Sequence, residues 1–174
     1  MRCSVVMATP PTFHGSRSAL ARDAILFIAL LATALALGAA LAHALELPNK
    51  IDLPRDEYFI VQQAYRGWDR LGYLLAVQLL AMILTALLSR HEPRVVALVI
   101  VAIAGLLAAQ AVFWIYTYPA NVATADWTRM PDDWERLRRT WEYSHAVGAG
   151  FQLLAMCALL LAALVRRPLP SRAA

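Results

Sequence analysis

Charged side chains are scarce in this 174-residue chain, since Asp, Glu, Lys and Arg make up 16% of it and hydrophobic residues 60%. Soluble domains are typically about 45–50% apolar and about 25% charged, so the composition excludes an ordinary soluble domain. Charged residues are also unevenly distributed, because four long stretches contain no Asp, Glu, Lys, Arg or Pro. We interpret the chain as an integral membrane protein.

Those four stretches are close to the roughly 20 residues that a helix needs to cross about 30 Å of hydrocarbon. They predict spans at 24–45, 71–88, 95–118 and 145–165. The expected fold is all-α, an integral membrane four-helix bundle with two longer non-cytoplasmic loops that carry short amphipathic helices. We expect residues 1–23 to be a disordered cytoplasmic leader, 24–165 to form the transmembrane domain, and 166–174 to be a cytoplasmic tail.

Cysteine is almost absent, which argues against a membrane thiol oxidoreductase. Cys3 lies in the leader and Cys157 lies midway along the fourth span, so they cannot pair, and the chain has no Cys-x-x-Cys motif. Both are interpreted as free thiols that behave as small hydrophobic residues.

Positive charge gives the predicted orientation. The N-terminus, the short 89–94 connection and the C-terminus share one side of a four-span protein, and this side carries eight arginines and two acidic residues. The other side spreads eight basic residues over two longer loops with ten acidic ones. We therefore expect a multi-pass protein of the cell membrane with both termini cytoplasmic. The arginines lie at helix ends, so the net charge of +4 indicates a lipid-bilayer partner and no nucleic acid.

Cleavage of the first span as a signal peptide is an open alternative, because Ala40-Leu41-Ala42 resembles a cleavage site. The apolar stretch is 19 residues long and follows a 23-residue leader, which argues against an ordinary signal peptide.

The two outer loops contain helix-start signals. Pro54 followed by two acidic residues predicts a short helix, as does Pro131 followed by Asp132 and Asp133. After the second signal, residues 134–152 place polar and aromatic side chains on one face, so the fourth helix is expected to begin outside the bilayer. Trp134 and Trp141 are expected to form an aromatic belt at headgroup level.

Polar residues within the spans concentrate at the non-cytoplasmic end. On the third helix, Gln110, Trp114, Thr117 and Asn121 lie on one face, and we expect Gln110, Thr117 and Asn121 to line the bundle interior near its outer mouth. Gln78 and Gln152 lie at comparable depth on the second and fourth helices. The cytoplasmic halves lack such residues, and with four unbroken helices a channel or transporter is disfavoured.

Two His/Glu pairs at the outer helix ends form the candidate site. His43 and Glu46 lie one turn apart on the first helix, and Glu142 and His145 repeat the spacing on the fourth. We expect all four to converge, with the imidazoles less than about 12 Å apart. The set leaves three interpretations open: a hydrogen-bonded or substrate-binding cluster, ligands for a metal or haem, and inert interfacial residues. The cofactor is unknown, and the interpretation without any cofactor is favoured over a metal or haem.

The run PANVATADWTRMPDDWERLRRTWEYSH, residues 119–145, resembles the family of small four-helix membrane proteins named for anthrone oxygenases, most of which are uncharacterised. The matching residues, in order, are Pro119, Asn121, Trp127, Trp134, Leu137, Arg138, Trp141 and His145, with weaker support from His43. The resemblance implies a four-helix bundle and, for the named members, oxygenation of a phenolic tricyclic ketone by molecular oxygen without a recognised cofactor. Gly148 stands where relatives often carry an Arg one turn after the histidine, so any role of that Arg is absent here.

Two functional hypotheses follow. In the first, the chain is an oxidoreductase or oxygenase-like enzyme that acts on a hydrophobic aromatic molecule from the membrane. His43 or His145 would take a proton, Glu46 and Glu142 would orient the imidazoles, and substrate would be bound by Gln110, Trp114, Asn121 and Arg138, with Tyr118 as a further aromatic wall. In the second, the chain is a non-catalytic membrane subunit or a lipid- or partner-binding protein. The substrate and the oligomeric state stay open.

Overall fold

Helix accounts for nearly all of the chain that the computed structural model describes, which is residues 14–166 with side chains from residue 19 onward. The helices are α1 (His14–Lys50), α2 (Arg55–Gln62), α3 (Leu71–Leu88), α4 (Pro93–Val112), α5 (Tyr118–Thr124) and α6 (Trp134–Val165). Single 3₁₀ turns lie at Gln63–Tyr65 and Trp68–Arg70, and a π-helical segment, Phe113–Thr117, joins α4 to α5 without a break. No strand occurs between residues 14 and 166.

Four helical segments are long and apolar enough to cross a membrane, namely Ala19–Lys50, Trp68–Leu88, Pro93–Thr124 and Trp134–Val165. Their outward faces carry large apolar side chains, including Phe27, Leu35, Leu80, Ile100, Leu107, Leu160 and Leu164. A water-soluble protein rarely exposes so much contiguous apolar surface. The chain is therefore a membrane protein, and the predicted all-α four-helix architecture is confirmed.

The four long helices form a closed ring in which α1 packs on α3 and α6, and α4 also packs on α3 and α6. Small side chains dominate the central core, which contains Ala29, Ala81, Met82, Val95, Val99, Ala102, Leu106, Ala155, Ala158, Leu159 and Ala162. Helices that cannot use the hydrophobic effect against lipid gain their stability from such close packing. The approach is closest at Gly105, where an added Cβ would lie 2.9 Å from the carbonyl oxygen of Phe151.

Two ion pairs hold one end of the bundle together, which we call the termini end. Arg22 Nη1 lies 3.2 Å from Glu92 Oε1, and Arg166 Nη1 lies 2.6 Å from Asp23 Oδ1. The start of α1, the α3–α4 connection and the end of α6 thus meet, as expected for four spans. The opposite end, where segments 51–70 and 125–133 lie, is called the loop end below.

Helix α1 is longer at both ends than the predicted span of 24–45. Residues 14–23 are helical, so the prediction of a disordered leader is wrong for them, while residues 1–13 and 167–174 lie outside the described part of the chain. Extending a helix that is already formed costs little, and Ala and Leu favour it. At the other end the helix continues through Pro48 to Lys50, because neighbouring elements can compensate for the hydrogen bond that Pro removes.

Both helix-start signals of the loops are confirmed. Helix α2 begins one residue after Pro54, and α6 begins at Trp134, directly after Asp133.

Cys157 is a free thiol on the outer surface of α6.

Candidate functional site at the loop end

The two loops and the outer ends of the helices form a second hydrophobic core, which we call the aromatic cap. Its buried members are Tyr58, Phe59, Ala120, Trp127, Leu137 and Trp141. Trp141 is only 3% exposed, so the prediction that it belongs to a headgroup belt is wrong. Its indole points into the cap because side chains of α6 pack there with those of α2 and α5. Trp134 packs against the same core.

Three consecutive left-handed residues place Trp127 in this cap. Ala125, Asp126 and Trp127 have φ values of 47°, 53° and 63°, a conformation that costs residues with a Cβ roughly 1–2 kcal/mol each. Local hydrogen bonds offset this cost: the amide of Trp127 donates to Thr124 Oγ1 at 3.1 Å, and the amide of Asp126 donates to the carbonyl of Asn121 at 2.8 Å.

His43 and His145 lie in contact beneath the cap, with ring centroids 4.2 Å apart. This agrees with the expected separation of less than about 12 Å, and it follows from the packing of α1 on α6. Aromatic rings surround the pair. The ring centroid of His43 lies 4.4 Å from that of Tyr65 and 5.1 Å from that of Trp68, and the ring centroid of His145 lies 4.0 Å from that of Trp141.

The two imidazoles have different hydrogen-bonding environments. His145 Nδ1 lies 3.0 Å from the carbonyl oxygen of Trp141, so it carries the proton of this hydrogen bond. A neutral ring then presents a lone pair at Nε2. His43 is buried, and its Nδ1 has no hydrogen-bond partner among the described residues.

A buried ion pair lies beside the histidines. Lys50 Nζ is 3.2 Å from Glu142 Oε1, and the two side chains are 5% and 0% exposed. The ammonium group of Lys50 also lies 5.2 Å above the ring centre of Trp141 and 4.6 Å above that of Tyr65. Buried charges are tolerated only when they are paired and hydrogen-bonded, so Lys50 and Glu142 depend on each other.

Helix α2 supplies two further donors to the buried carboxylate. Tyr58 Oη donates to Glu142 Oε1 at 3.0 Å, and Gln62 Nε2 donates to the same oxygen at 3.3 Å and also to Tyr58 Oη. Burial, together with the negative charge of Glu142, raises the pKa of Tyr58, so its hydroxyl stays protonated as a donor. Glu142 Oε2, in contrast, is buried and has no partner within residues 14–166.

Glu46 occupies the outer edge of this network. Its side chain is 47% exposed, its Oε2 lies 3.3 Å from Lys50 Nζ, and it accepts a hydrogen bond from Tyr65 Oη. Lys50 Nζ also donates to Tyr65 Oη at 2.6 Å. Burial and the hydrogen bond to Glu46 raise the pKa of Tyr65.

The four predicted residues are therefore brought to one end of the bundle but do not form a metal-ligand set. The two imidazoles are adjacent, whereas Glu46 and Glu142 are both turned toward Lys50. In the part of the chain that the structure describes, no three His, Cys, Asp or Glu side chains are grouped to hold a metal ion. The lysine explains this, because its ammonium group takes the position between the carboxylates.

Two of the predicted substrate-binding residues are engaged in the cap. Arg138 is buried, and its Nη1 donates to the carbonyl of Leu53 at 2.7 Å. Its guanidinium carbon lies 4.7 Å above the ring centre of Trp134. Asn121 Oδ1 accepts a hydrogen bond of 2.8 Å from Trp141 Nε1. Both side chains hold the cap in place, and Asn121 orients the indole that packs on His145.

The other predicted substrate contacts are not brought to the histidines. Gln110 is half-buried. Trp114 is 57% exposed and Tyr118 46% exposed, so the structure places neither of these predicted aromatic walls in the interior beside the histidines. The reason is the π-helical segment Phe113–Thr117, whose wider turn breaks the 3.6-residue spacing on which the prediction relied.

Proline chemistry explains this π segment. Pro119 follows it, and the ring of a helical Pro clashes with the carbonyl four residues earlier, here Ile115 in the middle of the segment. Thr117 nevertheless reaches the interior as predicted, where its hydroxyl lies 2.7 Å from that of Ser144.

Several residues of the site escaped the sequence prediction, and Lys50 is the most important. It continues the face of His43 and Glu46 one turn further, but it lies beyond residue 45, where the first span was predicted to end. A second signal was available, because Lys50 is the only lysine among sixteen basic residues. Tyr58, Gln62 and Tyr65 share a helical face in the sequence, yet nothing there indicated that this face meets Glu142.

A groove of about 280 Å³ opens on the side of the bundle next to His43. It is lined by Ala39, Gly67, Trp68, Arg70 and Leu71, which places it between α1 and the start of α3. Trp68 separates the groove from the His43 ring. Gly67, at φ 88°, supplies the left-handed turn that aims Trp68 inward.

Comparison of the chain with protein-family models, with curated proteins and with solved structures finds no match.

Proposed function

We propose that this membrane protein is an oxidoreductase of the oxygenase type that acts on a hydrophobic aromatic molecule at the His43/His145 pair. The proposal includes the relationship to the anthrone-oxygenase-like family, because the run that carries this resemblance builds the cap. Trp127, Arg138, Trp141 and His145 all belong to that run, and their contacts enclose the candidate site.

The observation that carries the proposal is the contact of two imidazoles beside a buried polar network. Ionisable groups at this depth are costly and usually functional. Fixing Nδ1 of His145 on the carbonyl of Trp141 leaves Nε2 as a base. The rings of Tyr65, Trp68 and Trp141 provide an apolar, stacking environment that suits an aromatic substrate.

The proposed reaction begins with removal of an acidic methylene proton by His145 Nε2. The carbanion that remains is stabilised by the neighbouring aromatic carbonyl system and is oxidised by molecular oxygen. Over the whole reaction, CH₂ and O₂ give C=O and H₂O, so the methylene carbon loses two hydrogens and gains one oxygen atom. The second oxygen atom leaves as water with those two hydrogens.

The groove beside Trp68 supports access from the bilayer. It lies on the flank of α1 and α3, and the Trp68 ring that lines it packs against His43. A hydrophobic molecule dissolved in lipid would reach the histidines by displacement of this ring.

Orientation is part of the proposal as well. The eight arginines at the termini end favour a cytoplasmic location for both termini, with the candidate site at the non-cytoplasmic face of the cell membrane. A reporter that is active only in the periplasm, fused after the last residue, should be inactive. An active fusion would overturn the orientation.

Oxygen uptake by the purified protein in lipid nanodiscs tests the enzymatic proposal, with a dihydroxyanthrone as the phenolic tricyclic ketone. We expect uptake faster than in empty nanodiscs, and a fall of about a hundredfold or more in His145→Ala, since a positioned base contributes on that scale. His91→Ala is the matched control, because His91 is exposed at the termini end. Uptake no faster than in empty nanodiscs, or full activity in His145→Ala, would refute this reaction.

The competing proposal is a non-catalytic membrane subunit or a lipid- or partner-binding protein. It is favoured by the close packing of Tyr65, Trp68 and Trp141 around His43, which would equally suit a rigid polar core. Under this alternative, replacing either histidine lowers stability, and the protein adds nothing to oxygen uptake.

A further inference from the structure

We propose that Lys50, Tyr65 and Glu46 form a proton relay that connects the buried carboxyl group of Glu142 to solvent at the loop end. For the proposed reaction, which releases no net proton, the relay lets the proton that His145 removes from the substrate exchange with solvent. It rests on the proposed function for this role, but its geometry and its test do not require turnover.

The relay is a continuous chain of polar contacts. Glu142 Oε1 lies 3.2 Å from Lys50 Nζ, which donates to Tyr65 Oη at 2.6 Å, and Tyr65 Oη in turn donates to Glu46 Oε2. Exposure rises along it, from 0% for the Glu142 side chain and 5% for Lys50 to 47% for Glu46. The chain thus leads from the interior to the surface without a gap.

Proton balance requires two steps. Starting from protonated Glu142 and ionised Glu46, the Lys50 ammonium passes a proton to Tyr65 Oη while the Tyr65 hydroxyl passes its own proton to Glu46. The Glu142 carboxyl group then rotates so that the proton taken up on Oε2 faces Lys50 Nζ and reprotonates the neutral amine, and Glu46 releases its proton to water. One proton moves from Glu142 to solvent, while Lys50 and Tyr65 end as they began.

The two oxygens of Glu142 differ in a way that suits this role. Tyr58, Gln62 and Lys50 all contact Oε1 and hold it at the start of the relay. Oε2 is buried without a partner among the described residues, so one side of the carboxyl group is free to take a proton from the interior. A carboxylate with a purely structural role would be expected to have both oxygens satisfied.

The surroundings keep Tyr65 in the form that a relay needs. Burial and Glu46 raise its pKa, so the hydroxyl is retained and can accept one proton as it donates another. The titratable or charged groups that face Lys50 from α1, the Gln63–Tyr65 turn and α6 are Glu46, His43, Tyr65, Glu142 and His145.

Infrared spectroscopy after a rapid drop in pH measures the relay directly, with Glu142→Gln used to assign the Glu142 carboxyl band. Tyr65→Phe removes only the hydroxyl and keeps the ring packing. We expect it to slow the response of the Glu142 band by at least about tenfold with unchanged final amplitude. Glu46→Gln should slow it similarly while Lys50 stays hydrogen-bonded. Tyr143→Phe is the control, since Tyr143 neighbours Glu142 in sequence but is 55% exposed.

Three results would overturn the relay: a wild-type rate in Tyr65→Phe, a wild-type rate in Glu46→Gln, or a Glu142 band that does not respond to pH in the unmodified protein. Because the measurement uses no substrate, its outcome is separate from that of the oxygen-uptake assay. A slowed band in a protein that takes up no oxygen would support the relay and refute the proposed reaction alone.

Discussion

Replacing Lys50 by Met should destabilise the protein strongly, because it leaves the Glu142 carboxylate fully buried without its counter-ion. At 3.2 Å and an effective dielectric constant of about 20, two unit charges attract by about 5 kcal/mol. Tyr58 and Gln62 still donate to Glu142 in the variant, so part of this energy is retained. We expect a net loss of about 3 kcal/mol in the free energy of unfolding.

Replacing Glu142 by Gln should cost much less. Lys50 keeps Glu46 at 3.3 Å and the Tyr65 hydroxyl at 2.6 Å, so its charge stays compensated, and we expect a loss of about 1 kcal/mol. The double variant should lose about 2 kcal/mol rather than the sum of about 4, because the uncompensated carboxylate is then absent.

Detergent-induced unfolding in mixed micelles, followed by tryptophan fluorescence, measures these three values. Arg55→Met is the matched control, since the Arg55 side chain is 55% exposed and pairs with its neighbour Asp56; its cost should stay within about 0.5 kcal/mol. Additive losses in the double variant, or a Lys50→Met cost no greater than that of Glu142→Gln, would show that the buried ion pair is not coupled in this way.

Three further changes test other parts of the fold by the same unfolding measurement. Gly105→Leu should separate α4 from α6 and cost about 2–3 kcal/mol, because even its Cβ would lie 2.9 Å from a backbone oxygen; an unchanged stability would contradict this close approach. Ala125→Gly should stabilise by about 1 kcal/mol by relieving a left-handed conformation at φ 47°, whereas Ala123→Gly, inside helix α5, should destabilise by about 0.5–1 kcal/mol. Above pH 10.0, the ordinary pKa of Tyr, an unfolded chain loses the Tyr65 proton that the folded chain keeps, so stability should fall as pH rises; Tyr65→Phe should weaken that dependence more than Tyr143→Phe does, and equal slopes would contradict the raised pKa.

The spans and the meeting of His43 with His145 could be predicted because they depend on patterns that a regular helix preserves. Uncharged runs of sufficient length define the spans, and equal His/Glu spacing at the outer ends of two helices indicates a shared site when those helices are neighbours. Neither inference requires knowledge of the loops.

The errors arose where helices depart from regularity. The first span was predicted to end at residue 45, but α1 continues through Pro48 to Lys50, and so the residue that pairs both carboxylates was missed. The π segment before Pro119 turned Trp114 toward the outside, although its spacing from Gln110 and Asn121 was that of an α-helix. Such local changes of pitch are set by tertiary packing and are not visible in a periodicity.

The contact of His43 with His145 is the claim on which the candidate site depends, and magic-angle-spinning NMR on histidine-labelled protein in lipid measures it most directly. With ring centroids 4.2 Å apart, a through-space correlation between two imidazoles should appear, should vanish in both His43→Ala and His145→Ala, and should persist in His91→Ala. If no correlation between histidine rings appears in the unmodified protein, or if the correlation survives in His43→Ala, the two helices do not share a site.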